Sequence, residues 1–183
     1  MKINLRRVTT GAVLIAAASA FLFCTGFTKA SDHGNHENGY LKSATYYSDD
    51  WVINFWNSES SHMDEELKQI REDGFNSIIL VVPWREFQPS MAPEHYNDYA
   101  WEKFDRVMKA AKAQDLKVML RVGYTWDYYS SENVLARYEK LLYDSETKKA
   151  WLHYAKRLYE KASAYDNFSG GFFNWGDFWK FSG

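Results

Sequence analysis

From Trp51 onward the chain alternates short apolar runs with longer stretches in which apolar residues return every third or fourth position. Trp51-Val52-Ile53-Asn54-Phe55 is short and β-branched, which predicts a strand running into a loop at Trp56-Asn57-Ser58. Ser60 or Ser61 then offers a helix N-cap, and Asp64, Glu65 and Glu66 suit the positive end of a helix dipole. Met63, Leu67 and Ile70 fall at helical spacing, and Gly74 closes that helix. Ser77-Ile78-Ile79-Leu80-Val81-Val82 is apolar on both faces, as a parallel strand covered by other elements requires, and Pro83 stops it. Phe104, Val107, Met108 and Ala111 mark the buried stripe of a second helix. Lys117 to Val122 predicts a third strand, with Val118 and Leu120 on one side and Met119 and Arg121 on the other. The long loop from Tyr124 to Asp144 holds a short helical piece around Val134 to Leu142. Trp151, Tyr154, Ala155, Leu158, Tyr159 and Ala162 then repeat with helical period. Gly170-Gly171 reads as a break, and Phe172-Phe173-Asn174-Trp175 as a fourth strand.

Strands alternating with helices imply an α/β fold of parallel (β/α) units joined by right-handed crossovers. Four such strands are the first half of a TIM-type (β/α)8 barrel, and the 183 residues fall short of the roughly 250 of a whole one. A doubly wound open sheet is the alternative. It would carry a Gly-rich phosphate turn after the first strand, and the loop at Trp56-Asn57-Ser58 has none.

Ahead of these units, Lys2, Arg6 and Arg7 precede an uncharged, mostly apolar run from Gly11 to Phe27, the pattern of an export signal. Cleavage after Ala30 divides the chain into a signal peptide (1–30), a polar linker (31–45) and a partial barrel domain (46–183). Secretion or display at the cell surface follows, with membrane contact only if the signal stays uncleaved. Cleavage removes the only cysteine, Cys24, and four basic residues, moving the formal charge from −2 to −6. A mildly acidic domain without a basic stripe argues against nucleic acid as a partner.

The composition is otherwise marked by its rings: 8 Trp, 13 Tyr and 12 Phe. Barrels place function just past the C-terminal ends of their strands. Those positions hold Trp56, then Trp84, Arg85 and Glu86, then Arg121, Tyr124, Trp126 and Asp127, and finally Asn174, Trp175, Asp177 and Trp179. Flat rings stack on the apolar faces of sugars while charged groups hold the hydroxyls, so a carbohydrate is the expected ligand. Each of these residues also has a plainer role, as a barrel plug, a paired charge or a turn residue. Glycoside hydrolysis needs two carboxyl groups about the scissile bond, and Asp177 and Glu86 are the candidates. The histidines form no metal pattern, and no phosphate loop or nucleophile elbow occurs. No cofactor is implied.

Gly74-Phe75-Asn76-Ser77-Ile78, Val82-Pro83-Trp84, Gln88-Pro89, Tyr96, Phe104-Asp105-Arg106-Val107-Met108, Ala111-Lys112 and the run from Leu116 to Gly123 resemble the opening units of clan A glycoside hydrolases, most of all family 42 and family 35 β-galactosidases. The resemblance implies retaining hydrolysis, with an acid/base glutamate after an asparagine at the end of strand four and a nucleophile at the end of strand seven. Asn174 matches that asparagine, but Trp175 stands where the glutamate would be, which leaves Asp177 as a displaced candidate. The nucleophile has no counterpart. The expectation is therefore a truncated glycosidase for an extracellular or cell-surface poly- or oligosaccharide, lacking its C-terminal half or self-associating. A non-catalytic carbohydrate-binding protein on the same scaffold is the alternative.

Overall fold

The computed structural model describes residues 40–124 and 136–173. In chain order these form β1 (Ser43–Thr45), a 3-10 turn (Asn54–Asn57), α1 (Met63–Glu72), β2 (Ser77–Val81), α2 (Trp84–Phe87), β3 (Ser90–Met91), β4 (Glu94–His95), α3 (Asp98–Ala113), β5 (Lys117–Arg121), α4 (Ala136–Tyr143), α5 (Ser145–Ala162) and β6 (Phe168–Phe172). Strands β1, β2, β5 and β6 lie in that order in one sheet, every pair parallel. Strands β3 and β4 make a small antiparallel hairpin. The parallel half-barrel order expected from the sequence is what the described residues adopt.

The two faces of the sheet differ. Ile78, Leu80 and Val82, with their neighbours Val118, Leu120 and Val122, are buried with Leu67, Phe104, Val107, Met108, Tyr154 and Leu158 in one core beneath the helices. Each such side chain contributes about 1.5–3 kcal/mol on burial, so this face fixes which way every strand is turned. On the other face Ile79 and Met119 are only half-buried. There Val81 joins Val52, Ile53 and Tyr124 in a second, smaller cluster. Polar caps set the helix starts: Asn97 accepts from the Ala100 amide at 3.4 Å, and Asp144 from the Thr147 amide at 2.7 Å.

The first strand is not where the apolar run predicted it. It lies at Ser43–Thr45, inside the segment expected to be polar linker, and Trp51 to Asn57 is turn and 3-10 structure. Asn76 fastens the strand, its side chain accepting from the Lys42 amide and donating to the Tyr40 carbonyl, both at 2.8 Å. In the displaced run Val52 and Ile53 go to one cluster and Phe55 and Trp56 to the other, a split that a turn allows. An apolar run of five does not distinguish a strand from a buried turn. Helix α1 likewise starts past Ser60 and Ser61, at Met63, with His62 before it and no side-chain cap.

The fourth strand also moves, to Phe168–Phe172, and takes in the two glycines read as a break. Gly170 has φ +115, and the pairing with β5 shifts by one residue at Val118/Met119. Gly171 is needed for space: a Cβ there would stand 2.5 Å from the Tyr159 hydroxyl and 2.8 Å from the Leu120 carbonyl oxygen. Gly171 lets β6 run close under α5, and Gly170 supplies the positive φ beside it.

Candidate functional site

Parallel pairing carries the last residues of the four strands to one end of the sheet, with Val81, Arg121 and Phe172 in register and Thr45 opposite Ile79. Thr45, Tyr47, Trp51, Val52, Val81, Arg121 and Tyr124 line a cavity of about 350 Å³ at that end. Two rings form its open rim, Trp51 at 59% exposure and Tyr47 at 37%. The Arg121 guanidinium lies 5.2 Å from the centre of the Tyr124 ring, which supports it from the side. The cavity thus presents two exposed rings, a hydroxyl and a planar cation, with an apolar floor. Among the described residues no carboxylate lines it.

The segment 46–58, carrying Tyr47, Trp51 and Val52, is tied down at both ends. At its start the Tyr46 hydroxyl donates to Glu66 at 2.7 Å, and the Ser48 hydroxyl donates to the other oxygen of the same carboxylate at 2.7 Å. Burial, and then that carboxylate, push the Tyr46 hydroxyl far above the usual phenol range, so it remains a donor. At the far end Trp56 donates to the Val81 carbonyl at 2.8 Å, and Ser58 donates to Asp50. Tyr99 donates to the Ser58 carbonyl at 3.0 Å and to Glu59 at 2.7 Å.

Of the residues singled out from sequence, Arg121 and Tyr124 line the cavity. Trp56 and Trp84 do not: both are fully buried. The Trp56 ring packs edge-on against Phe87 at 4.6 Å. Trp84 donates to Gln88 at 2.5 Å and stacks on Tyr154 at 6.4 Å. Large rings just past strand ends are wanted by the core as much as by a ligand, and here the core takes both. Arg85 is half-buried on α2, outside the cavity lining. Glu86 is buried and accepts from Asn57, whose own oxygen accepts from Asn97 at 2.8 Å. Its carboxylate ties the 3-10 turn to α2 and α3, away from the cavity. Trp126, Asp127, Asn174, Trp175, Asp177 and Trp179 lie outside the described residues.

Sequence reasoning missed Tyr47, Trp51, Thr45 and Val52, because placing the first strand at Trp51 put its ring inside the sheet. The acidic pair Asp49-Asp50 just before Trp51 is the signal that this ring begins a loop. A larger hollow of about 510 Å³, between the β3–β4 hairpin and the start of α5, includes Glu94, Lys140, Asp144 and His153. It lies away from the strand ends.

No protein-family profile matches the sequence, and no curated protein matches it. Solved structures do resemble the fold. A GH5_18 glycoside hydrolase from Bifidobacterium longum subsp. longum, in complex with Manβ1-4GlcNAc, superposes with TM-score 0.61 at 20% identity over 74% of this chain and 33% of that one. The fold is part of a (β/α)8 barrel. A GH5_18 enzyme from Streptomyces cattleya, also in complex with Manβ1-4GlcNAc, gives TM-score 0.59 at 17% identity over 72% of this chain and 33% of that one. The exo-β-1,4-mannosidase Op5Man5 from Opitutaceae bacterium strain TAV5 gives 0.55 at 18%, over 67% and 22%. The chain spans about a third of the length of the GH5_18 enzymes. These are clan A barrels of family 5, so the clan-level resemblance stands while its assignment to families 42 and 35 is not specifically supported.

Proposed function

We propose that this chain supplies the sugar-binding front of a glycoside hydrolase barrel, and that its ligand is a β-mannosyl oligosaccharide met outside the cell. The carrying observation is the convergence of Trp51, Tyr47 and Arg121 on one cavity at the C-terminal strand ends. That is the end at which barrels of this kind work. An exposed indole offers a stacking face for a pyranose, and the guanidinium and the Thr45 hydroxyl offer hydrogen bonds to ring hydroxyls. The β-mannosyl assignment rests on the ligand and activity of the enzymes that share the fold.

Hydrolysis by two carboxylates would draw its acid/base from Asp177, the displaced candidate that the sequence offers after Asn174. The nucleophile of the clan pattern belongs to a seventh strand, beyond the units matched here. Binding without hydrolysis is the second reading, supported by the rings and the guanidinium that line the cavity.

Calorimetric titration of the full chain with Manβ1-4GlcNAc, alongside a turnover assay on a chromogenic β-mannoside, tests both readings. Saturable binding is expected. Turnover on the chain alone would decide for hydrolysis, its absence for binding. No saturation by about 10 mM ligand, weaker than about 3 kcal/mol of binding, would remove the sugar assignment.

A further inference from the structure

Lys103 stands on the buried stripe of α3 between Ala100 and Phe104 and is fully buried. Lysine almost never occupies such a position without a partner. Its ammonium donates to the Phe55 carbonyl, to the Ser58 carbonyl at 2.8 Å and more weakly to the Ser58 hydroxyl at 3.5 Å. It also lies 3.9 Å from the centre of the Phe55 ring. The two carbonyls belong to the 3-10 turn and to the residue that ends it. That turn closes the segment whose earlier residues, Tyr47, Trp51 and Val52, form the cavity wall.

We propose that Lys103 is a positioning residue for the sugar cavity, holding its aromatic wall against α3 through the Phe55 and Ser58 carbonyls. The inference rests on the sugar-binding reading for its consequence but not for its geometry. A methionine would fill the same volume and cover the same apolar surface, so packing alone does not account for the amine. What the amine adds is a second donor to each carbonyl: that of Phe55 otherwise accepts a weak bond from the Ser58 hydroxyl at 3.4 Å, and that of Ser58 accepts from Tyr99 at 3.0 Å. Asp50, Glu59, Glu66 and Arg106 are the charged groups that act on it. Burial is the main influence and lowers its pKa from 10.5 to about 8.

The test compares Lys103→Met with the wild-type chain at about pH 9.5, where most of the wild-type amine is neutral and the two proteins differ mainly in hydrogen bonds. Native-state proteolysis reads opening of 46–62, and titration with Manβ1-4GlcNAc reads the cavity. The expected result is cleavage within 46–62 at least about tenfold faster in the variant, from two carbonyls losing donors, with β2 and β5 still resistant and sugar affinity at least about tenfold weaker. Unchanged loop cleavage, or a rise spread equally over the sheet, would overturn the proposal. So would an unchanged affinity in a chain that binds sugar.

If Lys103→Met does not fold, the wild-type chain decides alone. A charged buried amine opposes closure of the loop, so loop cleavage relative to cleavage elsewhere should fall between about pH 7 and about pH 9.5. No change in that ratio would overturn the proposal. Failure of the wild-type chain to bind sugar would count against the functional reading only, since the proteolysis result stands by itself.

Discussion

Replacing Gly171 by alanine tests the least obvious feature of the sheet, the close passage of β6 under α5. The added methyl would stand 2.5 Å from the Tyr159 hydroxyl and 2.8 Å from the Leu120 carbonyl oxygen, both well inside contact distance. Overpacking of this kind costs about 1–3 kcal/mol. Against it, alanine removes unfolded-state freedom and returns about 0.4–1 kcal/mol, because Gly171 does not have a positive φ. The net expectation is a loss of about 1–2 kcal/mol, or a fall of about 1 M in the urea midpoint for a domain of this size. Tyr159→Phe takes away the nearer obstacle and keeps the ring on Phe168, 5.9 Å away. The double variant should therefore recover about half of the loss, leaving the Leu120 contact unrelieved. Gly170→Ala is the control. Nothing lies within 4 Å of its added methyl, but φ is +115, so its cost of about 1–3 kcal/mol is backbone strain that Tyr159→Phe cannot relieve. A Gly171→Ala protein as stable as wild type, or equal rescue of both glycine variants, would refute the packing argument.

Two further outcomes follow from the anchoring of the cavity wall. The folded pKa of Lys103, about 8, lies below its ordinary 10.5, so between those values the unfolded chain holds the extra proton and stability rises with pH. Urea midpoints should increase from about pH 8 to about pH 9.5 in the wild-type chain and stay flat in Lys103→Met; a wild-type midpoint that falls over this range contradicts the assignment. Asn57→Ala leaves the buried Glu86 carboxylate without its Asn57 donor and takes one of two acceptors from the Asn97 amide, the Glu86 carbonyl at 3.0 Å remaining, for an expected loss of about 1–3 kcal/mol by thermal or urea unfolding. Unchanged stability in that variant would mean the chain Asn57–Glu86–Asn97 is not what closes the 3-10 turn.

Much of the architecture was legible where the pattern was long. The second and third strands and the three main helices sit where apolar spacing placed them, because Ile78, Leu80, Val118, Leu120 and the stripe from Phe104 to Ala111 all have to meet one core. The errors fall where a run is short or small. Ser43-Ala44-Thr45 carries no hydrophobic signal and is a strand only because β2 offers it an edge. Gly170 and Gly171 look like a break, and the meaning of Gly171 as a close approach depends on Tyr159, a residue of a different element. The site was half legible for the same reason. Arg121 and Tyr124 follow a well-predicted strand and reach the cavity, whereas Trp56 and Trp84 were drawn into the core by contacts with Phe87 and Tyr154 that no local pattern displays.

Chemical-shift mapping of the full chain during titration with Manβ1-4GlcNAc shows whether sugar binds at the C-terminal strand ends against Trp51. Saturable shifts are expected at Thr45, Tyr47, Trp51, Arg121 and Tyr124, including the Trp51 indole N–H, with their loss in Trp51→Ala while the fold stays intact. Saturable shifts clustered instead about Glu94, Asp144 and His153, or unaltered binding by Trp51→Ala, would contradict binding at the strand ends.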